Sequence, residues 1–203
     1  MKKIKILSSV FIIVSILLAA YAIPQLNLDE TSPTYDVNKQ YLLYSLLFIL
    51  FSLILFILLI IKKDKLIAFP LLGFIATGLY YVRKIYETGN YNNTILDVIS
   101  PNETFTVLTF LLFVGFIVCL FVGTYKNNKY TKMYVAAYFA LLVFTTFKFL
   151  PEIAMDKDML PFATLTYSMI SGYIAAIILF IPVEKKQNME TNEASSSKEE
   201  NKE

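Results

Sequence analysis

Residues 41–61 read YLLYSLLFILFSLILFILLII, broken by strongly polar side chains only at Ser45 and Ser52. Coiled as an α-helix at 1.5 Å per residue, this run is about 30 Å long, the hydrocarbon thickness of a bilayer. Its end is marked by Lys62-Lys63-Asp64-Lys65. Outward from it lie five more apolar segments of similar length, at about 4–23, 66–82, 101–125, 133–150 and 162–183. The predicted fold is all-α: a polytopic integral membrane protein, a six-transmembrane-helix bundle filling residues 1–183. Residues 184–203, rich in Lys, Glu, Ser and Asn, are predicted to be a disordered tail.

Composition agrees. Of 203 residues, 57% are hydrophobic and mean hydropathy is +0.60, values of a membrane protein. The polar stretches are too short to bury a core of their own, so no loop holds a soluble catalytic domain.

Several segments carry boundary signals. The first follows Lys2, Lys3 and Lys5 and contains Ala20-Tyr21-Ala22, the small-x-small form of a signal-peptide cleavage site. Its apolar run is longer than most signal cores and holds no Gly or Pro before that site, so a retained first helix is expected. The third segment is short and contains Pro70, Gly73 and Gly78; a span kinked near Pro70 is expected. The fourth opens on Ser100-Pro101-Asn102-Glu103, a capping box with Pro at the first helical position. Between the third and fourth, Tyr91, Ile95, Val98 and Ile99 follow helical spacing and suggest a short amphipathic helix on the outer interface.

Orientation follows from charge. With the N-terminus in the cytoplasm, eleven Lys lie on the inner side and five Lys or Arg on the outer side. Both termini are then cytoplasmic. The outer connections carry nine acidic against five basic residues, a net of about −4. The layout reads as three hairpins, about 4–61, 66–125 and 131–183, without a residue-level repeat. Seventeen Lys against one Arg, abundant Asn and Ile and no Trp suggest an AT-rich genome and hence a bacterial plasma membrane.

The absences bear on chemistry. There is no histidine, which removes the commonest general base, metal ligand and phosphoryl acceptor. Cys119 lies within an apolar run, where it is expected to be inert. No Asp or Glu falls in the centre of a predicted span, where ion-driven transporters usually need one. No glycine-rich phosphate loop is present. The expectation is a protein that is not an enzyme, with no metal, no cofactor and no nucleic-acid partner.

Two features point to recognition. In the sixth segment Thr164, Ser168, Gly172 and Ala176 recur every four residues, flanked by Ser171 and Ala175. Gly115, Cys119 and Gly123 repeat that spacing in the fourth segment, with Ala136 and Ala140 in the fifth. Small stripes let helix backbones approach closely. They are expected to pack segments four, five and six together, or to dock a partner's helix. The second segment, Leu/Ile/Phe all round, is expected to face lipid. Lys148 is the one charge inside an apolar run; it is a candidate for binding an anionic group or for pairing with Glu152 four residues on. Tyr21, Tyr41, Tyr44, Tyr80, Tyr81, Tyr125, Tyr130 and Tyr134 lie near span ends, as an interfacial belt would. Tyr138, Tyr167 and Tyr173 lie deeper and are candidates to line a pocket or bridge helices.

The expected function is therefore an accessory, secretion-associated or immunity-type subunit that docks another membrane component. The alternative is a small-molecule-capturing subunit of an ATPase-driven transporter. In span number, length and placement of termini the chain is similar to the S components of vitamin transporters, a likeness of architecture without a shared motif. Oligomeric state is left open by the sequence.

Overall fold

The computed structural model describes residues 2–32, 34–88, 103–126, 128–154 and 160–182, with the backbone alone at 2, 82–88, 103–110 and 148–154. Every regular element among them is helical. Six α-helices follow in order: α1 (Lys2–Ala22), α2 (Tyr35–Ile60), α3 (Ala68–Thr88), α4 (Glu103–Lys126), α5 (Lys129–Ala154) and α6 (Leu160–Phe180). Single 3-10 turns extend α1 (Ile23–Gln25) and precede α3 (Asp64–Leu66). Each apolar segment of the sequence falls on one of these helices. Among the described residues, α1, α2, α5 and α6 are long and apolar enough to cross a membrane, and in α4 the shorter stretch Leu111–Lys126 is apolar. The predicted interfacial helix at 91–99, the Ser100-Pro101-Asn102 part of the capping box and the tail at 184–203 lie outside the described residues.

The helices pack by a simple register. The inward positions of α1 are Ser8, Ile12, Ser15, Ala19 and Ala22. Those of α2 are Tyr41, Ser45, Phe48, Ser52, Leu55 and Leu59. Both alternate steps of four and three, which keeps a seam on one side of a helix of 3.6 residues per turn. The opposite side of α2 exposes Leu43, Leu46, Leu50, Leu53 and Ile57. Segment two thus faces lipid on one side only, and its two serines mark the side that does not.

At the centre stands α6, packed against α1 and α5 and touching α2 and α3. Of its apolar stretch 67% is buried, against 28% for α1 and 33% for α2. It runs antiparallel to α1: Ser8 meets Ala175, Phe11 meets Ser171 and Ser15 meets Ser168. Chain neighbours pair as hairpins, α1 with α2, α2 with α3, α4 with α5 and α5 with α6.

Pro70, where a kink was expected, falls at the start of its helix. Pro70 is the third residue of α3, in the first turn, where backbone N–H groups have no intrahelical acceptor to lose. The helix begins around the proline.

Aromatic rings bridge the bundle. Tyr41 lies 4.2 Å from Phe162 and 5.6 Å from Tyr81 between ring centroids. Phe48 links Tyr81 to Phe74, Phe74 meets Tyr173 edge-on at 5.7 Å, and Tyr173 meets Phe139 at 5.8 Å. Phe139 packs on Phe116, which stacks on Tyr138 at 4.2 Å. Edge-to-face pairs of this kind add to the area buried. Three tyrosines expected in an interfacial belt, Tyr41, Tyr44 and Tyr81, are instead inside the bundle, whereas Tyr21, Tyr80, Tyr125 and Tyr130 are exposed. Position along a helix sets depth, but only the packing sets which side of the helix is covered.

The two ends differ in chemistry. At one, the Lys5 ammonium donates to both carboxylate oxygens of Asp64, at 2.6 and 2.7 Å, joining the start of α1 to the α2–α3 turn. At that end a Cβ built on Gly123 of α4 would lie 3.5 Å from Phe180 of α6 and 3.6 Å from Lys132 of α5. At the other, the segment after α1 is tied to α2: the Asn38 amide donates to the Asn27 carbonyl at 2.8 Å. There the backbone N–H and then the hydroxyl of Thr31 hold the Asp29 carboxyl below its ordinary range.

Candidate functional site

The small-residue stripe of α6 is occupied within the chain, and its principal partner is α1. Ser15 Oγ donates to the Ser168 carbonyl at 2.9 Å and Ser168 Oγ returns a bond to the Ser15 carbonyl at 2.8 Å. One and two turns further toward the start of α1, Ser171 Oγ donates to the Phe11 carbonyl at 2.8 Å and Ser8 Oγ to the Ala175 carbonyl at 3.0 Å. A serine can reach the facing backbone only if the helices approach closely, which Ala19, Ala22, Ala175 and Ala176, all buried, permit.

Other members of the stripe have different partners. Thr164 bonds back to the Leu160 carbonyl of its own helix at 2.9 Å. Gly172 faces α3: a Cβ there would collide with the Phe74 ring. Near the start of α6, Tyr81 Oη donates to the Phe162 carbonyl at 2.6 Å and lies 3.1 Å from Thr166 Oγ1. In α4, Gly115 looks toward the Tyr134 hydroxyl, 3.5 Å from a built Cβ, and Gly123 toward Thr131 at 3.4 Å. The glycines of segment four therefore face α5 through Tyr134 and Thr131, not through the Ala136 and Ala140 pair, of which Ala140 is exposed, while the stripe of segment six turns to α1 and α3.

The sequence reading missed Ser8 and Ser15. Their signal was the four-three spacing of Ser8, Ile12, Ser15, Ala19 and Ala22, hidden by the uniform apolarity around it.

Lys148 and Glu152 both lie on α5, which continues through Pro151 to Ala154. Their backbone alone is described. Position 148 follows Ala137, Leu141 and Phe144 in the same four-three register, and these three are exposed. Of the deeper tyrosines, Tyr173 is buried, Tyr138 is half-buried and Tyr167 is exposed.

A second surface stands out by contrast. Only 17% of the apolar stretch of α5 is buried, yet it is the least apolar of the four long helices. Its outward positions are Tyr130, Met133, Ala137, Ala140, Leu141, Phe144, Thr145 and Phe147. Large and small side chains alternate there, and Thr145 is exposed among them. At the end opposite Lys5, the buried side-chain amide of Gln25 has no hydrogen-bond partner among the described residues. Among those residues no group of three His, Cys, Asp or Glu is placed to hold a metal ion.

No family model matches this chain, and no curated protein or solved structure is similar to it.

Proposed function

We propose that this is a six-span, non-enzymatic protein of a bacterial plasma membrane, with both termini cytoplasmic, that docks a partner membrane protein through the outward face of α5. The observation that carries the reading is the mismatch between exposure and apolarity. Lipid-facing helices gain by being apolar, as α1 and α2 are; α5 is both the most exposed and the least apolar of the long helices. A protein surface suits the Ala137, Ala140 and Thr145 positions better than acyl chains do, because small and hydroxyl side chains favour close helix contact.

The six-span arrangement draws support from two features. The antiparallel pairing of α1 with α6 is what an even number of spans requires. The lysines of the α1 start, the α2–α3 turn and the α4–α5 turn belong to one end, which the charge rule assigns to the cytoplasm. The burial of α1 against α6 favours its retention as a helix over its removal as a signal peptide.

The test is site-specific photocross-linking in native membranes. A photoreactive residue at Leu141 or Phe144 is expected to give a discrete protein adduct, and one at Leu50 or Leu53 of α2 to give lipid adducts alone. Lipid adducts alone at all four positions would overturn the docking role. A second reading, capture of a small molecule at the outer end, draws on the buried Gln25 amide, which has no partner among the described residues; it requires a co-purifying ATPase in a mild-detergent pull-down.

A further inference from the structure

We infer that the lysine-bearing end of the bundle, centred on the α2–α3 turn, is a binding site for the phosphate headgroup of an anionic phospholipid. It rests on the membrane location but not on the docking role of α5.

The backbone of the turn is the first observation. Helix α2 closes with Lys63 N–H bonded to the Leu58 carbonyl at 3.0 Å and Lys62 N–H reaching the Leu59 carbonyl at 3.4 Å. This six-to-one and five-to-two pair is the Schellman closure, whose left-handed position is normally glycine. Here it is Lys62, with φ of 59°, the one non-glycine residue with positive φ among those described. A non-glycine residue in that region costs free energy, and such strain clusters at functional sites.

Assembly of charge is the second. Lys62, Lys63 and Lys65 are exposed around Asp64. Asp64 is engaged in a two-pronged bond to Lys5, which pins the turn to α1 and uses the acid on a lysine from another element. Asp64 is the only acidic residue in the described turns at this end, and exposed Lys3 and Lys126 lie in the flanking helices. The site is thus a hydrogen-bonded turn presenting three exposed lysines at the end of the apolar helix α2, where a spanning helix would meet headgroups. Lysine is suited to a phosphodiester as a point charge with several donors. A juxtamembrane lysine changes affinity for an anionic surface about fivefold at low salt.

The experiment uses the full chain in detergent, equilibrated with equimolar phosphatidylglycerol and phosphatidylcholine and read by native mass spectrometry. Preferential retention of phosphatidylglycerol is expected, weakened in K62Q/K63Q/K65Q by at least tenfold and unchanged in K39Q, which removes a lysine stacked over Tyr35 near the start of α2. Circular dichroism melting of each variant reports folding, and K62G, which keeps the turn and loses one ammonium, is expected to weaken retention about fivefold. Equal retention of the two lipids would overturn the proposal. So would the same loss in K39Q as in the triple variant, since bulk charge would then explain it. Displacement of the lipid by millimolar inorganic phosphate would also overturn it, reassigning the site to a free anion.

Discussion

Lys62 and Gln25 each violate a local rule. For Lys62 the rule is steric: a Cβ in the left-handed region crowds the following carbonyl, at a cost of about 1–2 kcal/mol. Lys62→Gly is therefore expected to raise the melting temperature in detergent while lowering retention of anionic lipid. A fall in melting temperature would mean that the lysine side chain itself holds the turn. For Gln25 the rule is solvation: its buried amide has no partner among the described residues, and an unsatisfied buried amide costs about 1–3 kcal/mol. Gln25→Leu should stabilise the purified protein by about that amount. If the amide binds a captured molecule, the same variant would lose whatever ligand co-purifies, and mass spectrometry of the native preparation reads that loss directly.

Between α1 and α6, cohesion comes from four serine-to-backbone bonds and the close approach that permits them. In lipid each such bond contributes about 0.6 kcal/mol, up to about 1.7, because the separated helices also find partners. Ser15→Ala and Ser168→Ala each remove one bond to the facing carbonyl and should each destabilise by about 0.6 kcal/mol in reversible unfolding in mixed micelles. Any coupling in the double-mutant cycle reports the 3.1 Å contact between the two hydroxyls. Additive losses would show that the two hydroxyls act separately. Against α3 the contact is steric. Gly172→Ala should destabilise by about 1–3 kcal/mol through overpacking on Phe74. Truncation of that ring by Phe74→Leu should recover part of the loss in the double variant. Absence of recovery would place the strain elsewhere.

For the whole molecule, the arrangement of spans makes the sharpest prediction. In a Cys119→Ser background, a cysteine introduced at Asn27 should react with a membrane-impermeant maleimide in intact cells. One at Lys63, on the lysine-bearing end, should react only after permeabilisation. Labelling of both sites from outside would overturn the proposed six-span arrangement, and labelling at Lys63 alone would reverse its orientation. Both positions are exposed, so accessibility within the fold does not limit the reaction.

Residues 41–61 needed no tertiary context to be read as helix, because hydrocarbon thickness and helical rise together set the length of an apolar run. The same holds for the other helices. Which side of each helix is covered was legible only in fragments. Ser45 and Ser52 mark the inward side of α2, but in a stretch that is apolar all round no hydrophobic contrast separates core from lipid. That is why Tyr41, Tyr44 and Tyr81 read as a belt and proved to be core, and why Ser8 and Ser15 passed unnoticed. The partners of the α6 stripe were likewise beyond the sequence, since a small-residue face states that a backbone can come close and not whose. Only the packed bundle brought α1, first in the chain, against α6, last in it, and left α5 on the outside.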